Sequence, residues 1–320
     1  MEHFADRLIK CIRSKRSSAV AGLDPHWAQI PERIKSDAIS RHGRTLAAGA
    51  AAVTKYLTGI VDAVASHVGV VKAQIAFYER FGPHGLEAYR RVCEHARARD
   101  LIVIGDVKRS DIGSTAAAYA DAHLGKIEIG GETLEAFPVD AVTVNAFLGS
   151  DGVQPFIDAA AKNGKGIFVL VRTSNPSAAE LQDLRAGGEP VFLRLARHVA
   201  RWAEPHCGRE GYSCVGAVMG ATFPEGAKNV RKIIPRSFIL APGYGAQGAH
   251  AADLKPFFNE DGLGAIVNSS RAILFAYRRP EYRDRFGPAA WQRAAEQAVI
   301  DMNEELRAAG CQPQTKPEGA

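Results

Sequence analysis

Eight short, continuously apolar runs, each followed by a longer stretch of helical character, constrain the fold of this chain more than any other feature. The runs cover 18–24, 68–72, 101–106, 141–145, 166–171, 214–219, 238–241 and 264–268 and are rich in Val, Ile, Ala and Gly. A strand with one wet face alternates apolar and polar residues. A strand apolar at every position is buried on both faces, as in a parallel sheet covered by helices. Helix-like segments such as 85–99, 114–123, 153–163 and 189–203 lie between the runs. Strand then helix, eight times, predicts an α/β chain folded as a single-domain (β/α)8 TIM barrel. A doubly wound sheet would use fewer units and place a nucleotide-binding glycine pattern after its first strand. None follows Asp24.

The 320 residues fit one barrel with insertions, and no linker divides them. The segment 4–13, apolar at 4, 8, 9 and 12, predicts a short helix that plugs the amino-terminal mouth of the barrel. Residues 124–139 extend the connection between the third and fourth strands, and 174–212 form a long loop before its helix. The expected boundaries are a barrel domain over 1–309 and a flexible tail over 310–320, which is Pro-, Gly- and polar-rich. Nothing outside the barrel is long enough to suggest a fused second activity.

Composition narrows the function classes. With 46% hydrophobic and 23% charged residues the chain can bury a large core, which disfavours disorder and disulfide scaffolds. No apolar run approaches the roughly 18 residues that span a bilayer, and the acidic first residues do not resemble a secretory signal. The five cysteines are odd in number and scattered, without metal-ligand spacing. They read as reduced thiols in a cytoplasmic protein. The net charge of +5 is spread along the chain, which argues against nucleic acid and fits an anionic metabolite.

In a parallel barrel, ligands bind at the carboxyl ends of the strands. The first run ends in Asp24, the second in Lys72, the third in Asp106-Val107-Lys108-Arg109-Ser110-Asp111, the fourth in Asn145 and the fifth in Arg172-Thr173-Ser174. Charges at the end of a buried strand are costly unless they pair with each other or with a ligand. On an extended chain Asp106 and Lys108 share a face, and Lys72 arrives from the neighbouring strand. Asp111 stands at the turn into a helix beginning near Ser114. An alternating Lys/Asp array of this kind holds lysines protonated beside a reacting centre. After the seventh run comes Pro242-Gly243-Tyr244-Gly245-Ala246-Gln247-Gly248, and after the eighth Asn268-Ser269-Ser270-Arg271. Glycine-rich backbone, a helix start and a forked guanidinium there predict a phosphate site.

The stretch 106–115, read as D-x-K-x-x-D-I-x-x-T, closely resembles the orotidine 5'-phosphate decarboxylase family. The resemblance takes in Gly22-Leu23-Asp24, the 71–79 stretch VKAQIAFYE, Thr143-Val144-Asn145, the 171–176 stretch VRTSNP, the 241–248 stretch APGYGAQG and the 268–273 stretch NSSRAI. These cover most of the chain in order, in the form of the bacterial branch with longer insertions (type 2). The resemblance implies decarboxylation of orotidine 5'-phosphate to UMP in de novo pyrimidine biosynthesis, with no metal and no cofactor. It implies that Asp24 and Lys72 hydrogen-bond the ribose, that Asp106 lies against the substrate carboxylate, and that Lys108 protonates C6. Asp111 and Thr115 would reach the neighbouring subunit's site, giving a homodimer with shared active sites. Asn145 would be a further substrate contact. Ser174 would read the pyrimidine, with Thr173 and Asn175 as alternatives. Gln247, Arg271 and the backbone at Gly243 and Ser270 would hold the 5'-phosphate. The segments 244–250 and 174–188 are candidate lids.

Loss of carbon dioxide from an sp2 carbon leaves a carbanion without an electron sink. A fixed ammonium beside C6 is then the main lever, with phosphate binding energy as the second. Two other readings compete. Sister barrels such as hexulose-phosphate synthase or keto-gulonate-phosphate decarboxylase use a metal-stabilised enediolate and need an acidic ligand at the second strand's end, where Lys72 stands. A non-catalytic phosphate-ligand binder would lack some of the four charges.

Overall fold

The computed structural model describes residues 1–245, 250–287 and 289–313. All eight apolar runs form strands: β1 (Ala19–Gly22), β2 (Val70–Gln74), β3 (Ile102–Arg109), β4 (Ala141–Val144), β5 (Gly166–Arg172), β6 (Val215–Met219), β7 (Ile239–Pro242) and β8 (Ala265–Ser269). They close into a parallel barrel in sequence order, with β1 pairing β2 on one side and β8 on the other. Every residue of β1, β4, β6 and β8 is buried, as the unbroken apolar pattern requires.

Helices cover the outside. Leu46–Val64 shows how the sequence specifies them: Thr45 caps the first turn by accepting the Ala48 N–H at 3.2 Å, and Val53, Tyr56, Leu57, Ile60 and Val64 form one buried stripe. The helices Gly82–Arg97, Gly113–His123, Ser150–Lys162 and Val191–Ala203 match the expected helical segments with shifted ends. The seventh unit departs from the strand–helix rule. Among the described residues, the β7–β8 connection holds only the 3-10 segment Ala251–Phe257, whose interior contains Pro256. Proline lacks the N–H that an α-helical ladder needs there.

The amino-terminal helix Phe4–Lys15 buries Phe4, Leu8, Ile9 and Ile12. Phe4 packs edge-on against Phe168 at 6.1 Å and lies so close to Gly166, the first residue of β5, that a Cβ there would sit 2.3 Å from its ring. The plug at the barrel's amino-terminal end is therefore real, and Gly166 is the residue that admits it. Two insertions carry structure that the sequence pattern did not suggest. Residues 124–139 contain the hairpin Ile127–Ile129/Glu132–Leu134. The stretch after β5, expected as a plain loop, holds a 3-10 turn (Pro176–Ala178), a short helix (Ala179–Gln182) and the small hairpin Arg185–Ala186/Glu189–Pro190.

The expected tail boundary at 310 moves. Cys311 is fully buried, its carbonyl accepts from Ser18 Oγ at 2.7 Å, and Gln312 Nε2 donates to Asn303 O at 3.1 Å. Residues 314–320 lie outside the described residues. Among the described residues no helix is long and apolar enough to cross a membrane.

Candidate active site

A continuous chain of polar contacts runs around the carboxyl ends of β8, β1, β2, β3 and β4. Asn268 Nδ2 donates to Ser270 Oγ at 3.2 Å, and Ser270 Oγ donates to Asp24 Oδ2 at 2.6 Å. Asp24 Oδ1 faces Lys72 Nζ at 3.4 Å, and Lys72 Nζ donates to Asp106 Oδ2 at 2.9 Å. Asp106 Oδ1 accepts from Lys108 Nζ at 2.6 Å and from Thr143 Oγ1 at 2.9 Å. Strand register sets this up. Lys72 pairs with Gly22 and Ile104 while Gln74 pairs with Asp106, so the lysine reaches forward along the barrel to the carboxylate. Gly22 is required as glycine, because a Cβ there would meet Ser270 Oγ at 1.9 Å.

Lys108 shares the mouth with Asp106 for a different reason from the one an extended strand would give. Its φ is +45°, a left-handed conformation rare outside glycine, and the β3–β4 register shifts between Gly105 and Arg109. Thr143 Oγ1 accepts the Lys108 N–H at 2.9 Å and so holds this bulge in place. Bulges beside sites re-aim side chains, and strain of this sort is retained where it serves a function. Thr143 thus fixes both the Lys108 backbone and the Asp106 carboxylate. Sequence patterning alone gives it no role: the signals were a hydroxyl interrupting an apolar strand and its place in the 143–145 stretch of the resemblance.

The four charges line a cavity of about 580 Å³, a size suited to a small-molecule ligand. Gly243 and Tyr244 after β7 and Asn268, Ser270 and Arg271 at the end of β8 line it beside Asp24, and Thr173, Ser174 and Asn175 line it from β5. His26 and Phe77, packed edge-to-face at 4.7 Å, complete one side and were not foreseen. Asn268 Oδ1 is buried without a hydrogen-bond partner among the described residues. Gln247 lies outside the described residues, as does the centre of the candidate lid 244–250.

Three expected site residues stand apart from this cavity. Asn145 is exposed, and its Oδ1 accepts the Phe147 N–H at 3.1 Å. Within this chain that side chain serves a turn, and it is not among the residues that line the cavity. Asp111 does not flank Lys108 within this chain, since its carboxylate accepts the Ile112 N–H at 2.9 Å. Thr115 is exposed in the first turn of the helix Gly113–His123.

Burial alone would raise the Asp106 carboxyl, but the two ammonium groups on its oxygens outweigh that and hold it well below the usual carboxylate range. Burial would likewise lower Lys72, yet Asp106 and Asp24 together raise it above an ordinary lysine. Both groups therefore stay charged across the neutral range. Lys72 is locked, with a side chain 4% exposed, whereas that of Lys108 is 44% exposed and open to a ligand and to water. Desolvating such an array costs several kcal/mol per ion, so its presence points to function rather than stability. Among the described residues no group of three or more His, Cys, Asp or Glu comes together to hold a metal ion.

Comparison with known proteins agrees with this geometry. Residues 20–283 match the model of the orotidine 5'-phosphate decarboxylase / HUMPS family. The chain is 42% identical over 284 residues to an orotidine 5'-phosphate decarboxylase of Caldicellulosiruptor bescii, covering 89% of this chain and 93% of that one. It is 42% identical over 307 residues to the Rhodopirellula baltica protein of the same name, covering 96% and 100%. Among solved structures, Leishmania donovani OMP decarboxylase superposes with a TM-score of 0.72 at 29% identity, covering 96% of this chain and 99% of that one.

Proposed function

Because this chain belongs to the orotidine 5'-phosphate decarboxylase family and decarboxylates orotidine 5'-phosphate in pyrimidine biosynthesis, we propose that the Asp24–Lys72–Asp106–Lys108 array performs the step without a metal or other cofactor. The observation that carries this is the placement of both ammonium groups on the two oxygens of one buried carboxylate, at 2.9 and 2.6 Å. The C6–carboxylate bond breaks, carbon dioxide leaves, and the bonding pair stays on C6. Lys108 Nζ stabilises that pair as it develops and then gives C6 a proton, giving UMP. Its exposure lets solvent restore the proton. A preorganised charge of this kind is often the largest single catalytic contribution. Asp106, on the carboxylate side, repels the ground state and holds Lys108 in position, while Asp24 and Lys72 hold the ribose hydroxyls.

Arg271, Ser270 and the Gly243 backbone bind the 5'-phosphate at the ends of β7 and β8, supplying binding energy away from the reacting carbon. Gln247 belongs to the same grip by resemblance. The segment 173–175 reads the pyrimidine, with Ser174 as the reader. We assign Asp111 and Thr115 to the site of a second copy of the chain. Around them Ile112 and Phe147 are 54% and 81% exposed, and Tyr119 and Leu148 are also exposed, an apolar surface that a homodimer would cover.

The test is loss of the orotate absorbance by purified protein in excess chelator. Turnover at the unchelated rate is expected. Abolition by chelator, with recovery on adding a divalent metal, would overturn the metal-free reading in favour of chemistry like that of the metal-dependent sister barrels.

A further inference from the structure

The short helix Ala179–Gln182 and the residues after it invert the usual amphipathic rule. Leu181 and Leu184 are 64% and 55% exposed, while the polar Gln182 and Asp183 between them turn inward. Inward polar residues with outward leucines indicate that this segment is placed by hydrogen bonds, not by apolar packing. Those bonds converge on the loop that lines the cavity after β5. Asp183 forms a two-pronged pair with Arg172, Nε to Oδ1 at 2.9 Å and Nη2 to Oδ2 at 3.0 Å. The Arg172 guanidinium also lies over the Phe223 ring at 4.7 Å and donates to Thr173 O at 2.6 Å. Gln182 Oε1 accepts the Thr173 N–H at 2.8 Å, and Gln182 Nε2 lies 2.8 Å from Thr173 Oγ1.

These contacts fix a direction. A backbone N–H can only donate, so the Gln182 carbonyl must face it and the Gln182 amide N–H₂ must face the Thr173 hydroxyl. Having accepted there, the hydroxyl has two acceptors in reach, Gln182 Oε1 at 3.2 Å and Asn175 Oδ1 at 2.6 Å, and it donates to the nearer, Asn175. The Asn175 oxygen is thereby occupied. Its N–H₂ is set on the other side, where it meets Ser177 Oγ at 3.2 Å. Thr173, Ser174 and Asn175 line the cavity, yet Gln182 does not.

We propose that Gln182 is a positioning residue for pyrimidine recognition: through Thr173 it sets which face of the Asn175 amide the ligand meets. This rests on the reading that segment 173–175 contacts the base. Gln182 touches no ligand itself. It acts by polarity, which distinguishes it from a brace that merely holds the loop.

The experiment compares UMP with ribose 5-phosphate, which keeps the phosphate and sugar but has no base. Gln182→Glu preserves shape and still accepts the Thr173 N–H, but its carboxylate takes the Thr173 hydroxyl proton away from Asn175. The variant is expected to bind UMP at least about fivefold more weakly, the scale of one lost hydrogen bond, with ribose 5-phosphate affinity unchanged. Equal effects on both ligands, or none on either, would overturn the proposal. The double variant Ser174→Ala/Asn175→Ala separates the two layers of the argument. Selective loss of UMP in the double variant but not in Gln182→Glu rejects the relay and leaves base reading by 173–175 intact. No selective loss in the double variant rejects base reading by this segment, and the relay with it.

Discussion

Lys108→Ala is expected to lower turnover of orotidine 5'-phosphate by a factor on the order of 10⁴ or more, since it removes both the charge facing C6 and the proton donor. Affinity for UMP should change little. The Lys108 ammonium contacts Asp106, and after its removal Asp106 keeps Lys72 and Thr143 as donors. UMP binding also serves as the control for folding, because the charge chain from Ser270 to Asp106 must be intact to hold it. Turnover retained within tenfold would place the proton donor elsewhere and remove Lys108 from the chemistry. Lys72 would not be an easy substitute, for it is held between two carboxylates with its own side chain only 4% exposed.

The second large effect concerns the shared site. Asp111→Ala and Lys72→Ala proteins should each be nearly inactive alone. After subunit exchange, half of the dimers are mixed, and in each of those one site has lost both residues while the other is intact. Activity should therefore recover to about a quarter of the wild-type value, as the symmetry of a dimer requires. Full exchange without recovery would show that Asp111 serves its own chain. The position of Asp111 on Ile112, away from Lys108, together with the apolar surface around it, makes recovery the expected result.

The barrel could be read from the sequence because burial on both faces leaves an unmistakable pattern: β-branched and small residues at every position, then a helix. The charged ends of those runs were legible for the same reason. A charge closing an apolar strand has few structural excuses. What escaped depended on contacts between distant residues or on backbone geometry. No glycine marks the left-handed residue at Lys108, so the bulge that aims it was invisible, and so was the role of the Thr143 hydroxyl that holds it. Lys108 was correctly placed beside Asp106 by an argument from extended geometry that does not hold at that residue. Asn145 ends its strand as Asp24 and Lys72 do yet does not line the cavity, because strand-end position alone cannot tell whether the chain turns toward the mouth or away from it. The inward face of Gln182 and Asp183 runs against hydropathy, so periodicity would have assigned it to solvent. The seventh helix was expected from the count of units, and Pro256 was the local signal against it.

The central claim is that cations and anions from neighbouring strand ends surround one carbon of the bound nucleotide. A crystal structure with UMP tests this most directly. The account predicts C6 within roughly 3–3.5 Å of Lys108 Nζ, the near-attack range for a transferring proton, with the phosphate on Arg271 and the ribose hydroxyls on Asp24 and Lys72. A UMP whose C6 faces away from Lys108, or whose phosphate lies far from Arg271, would contradict it.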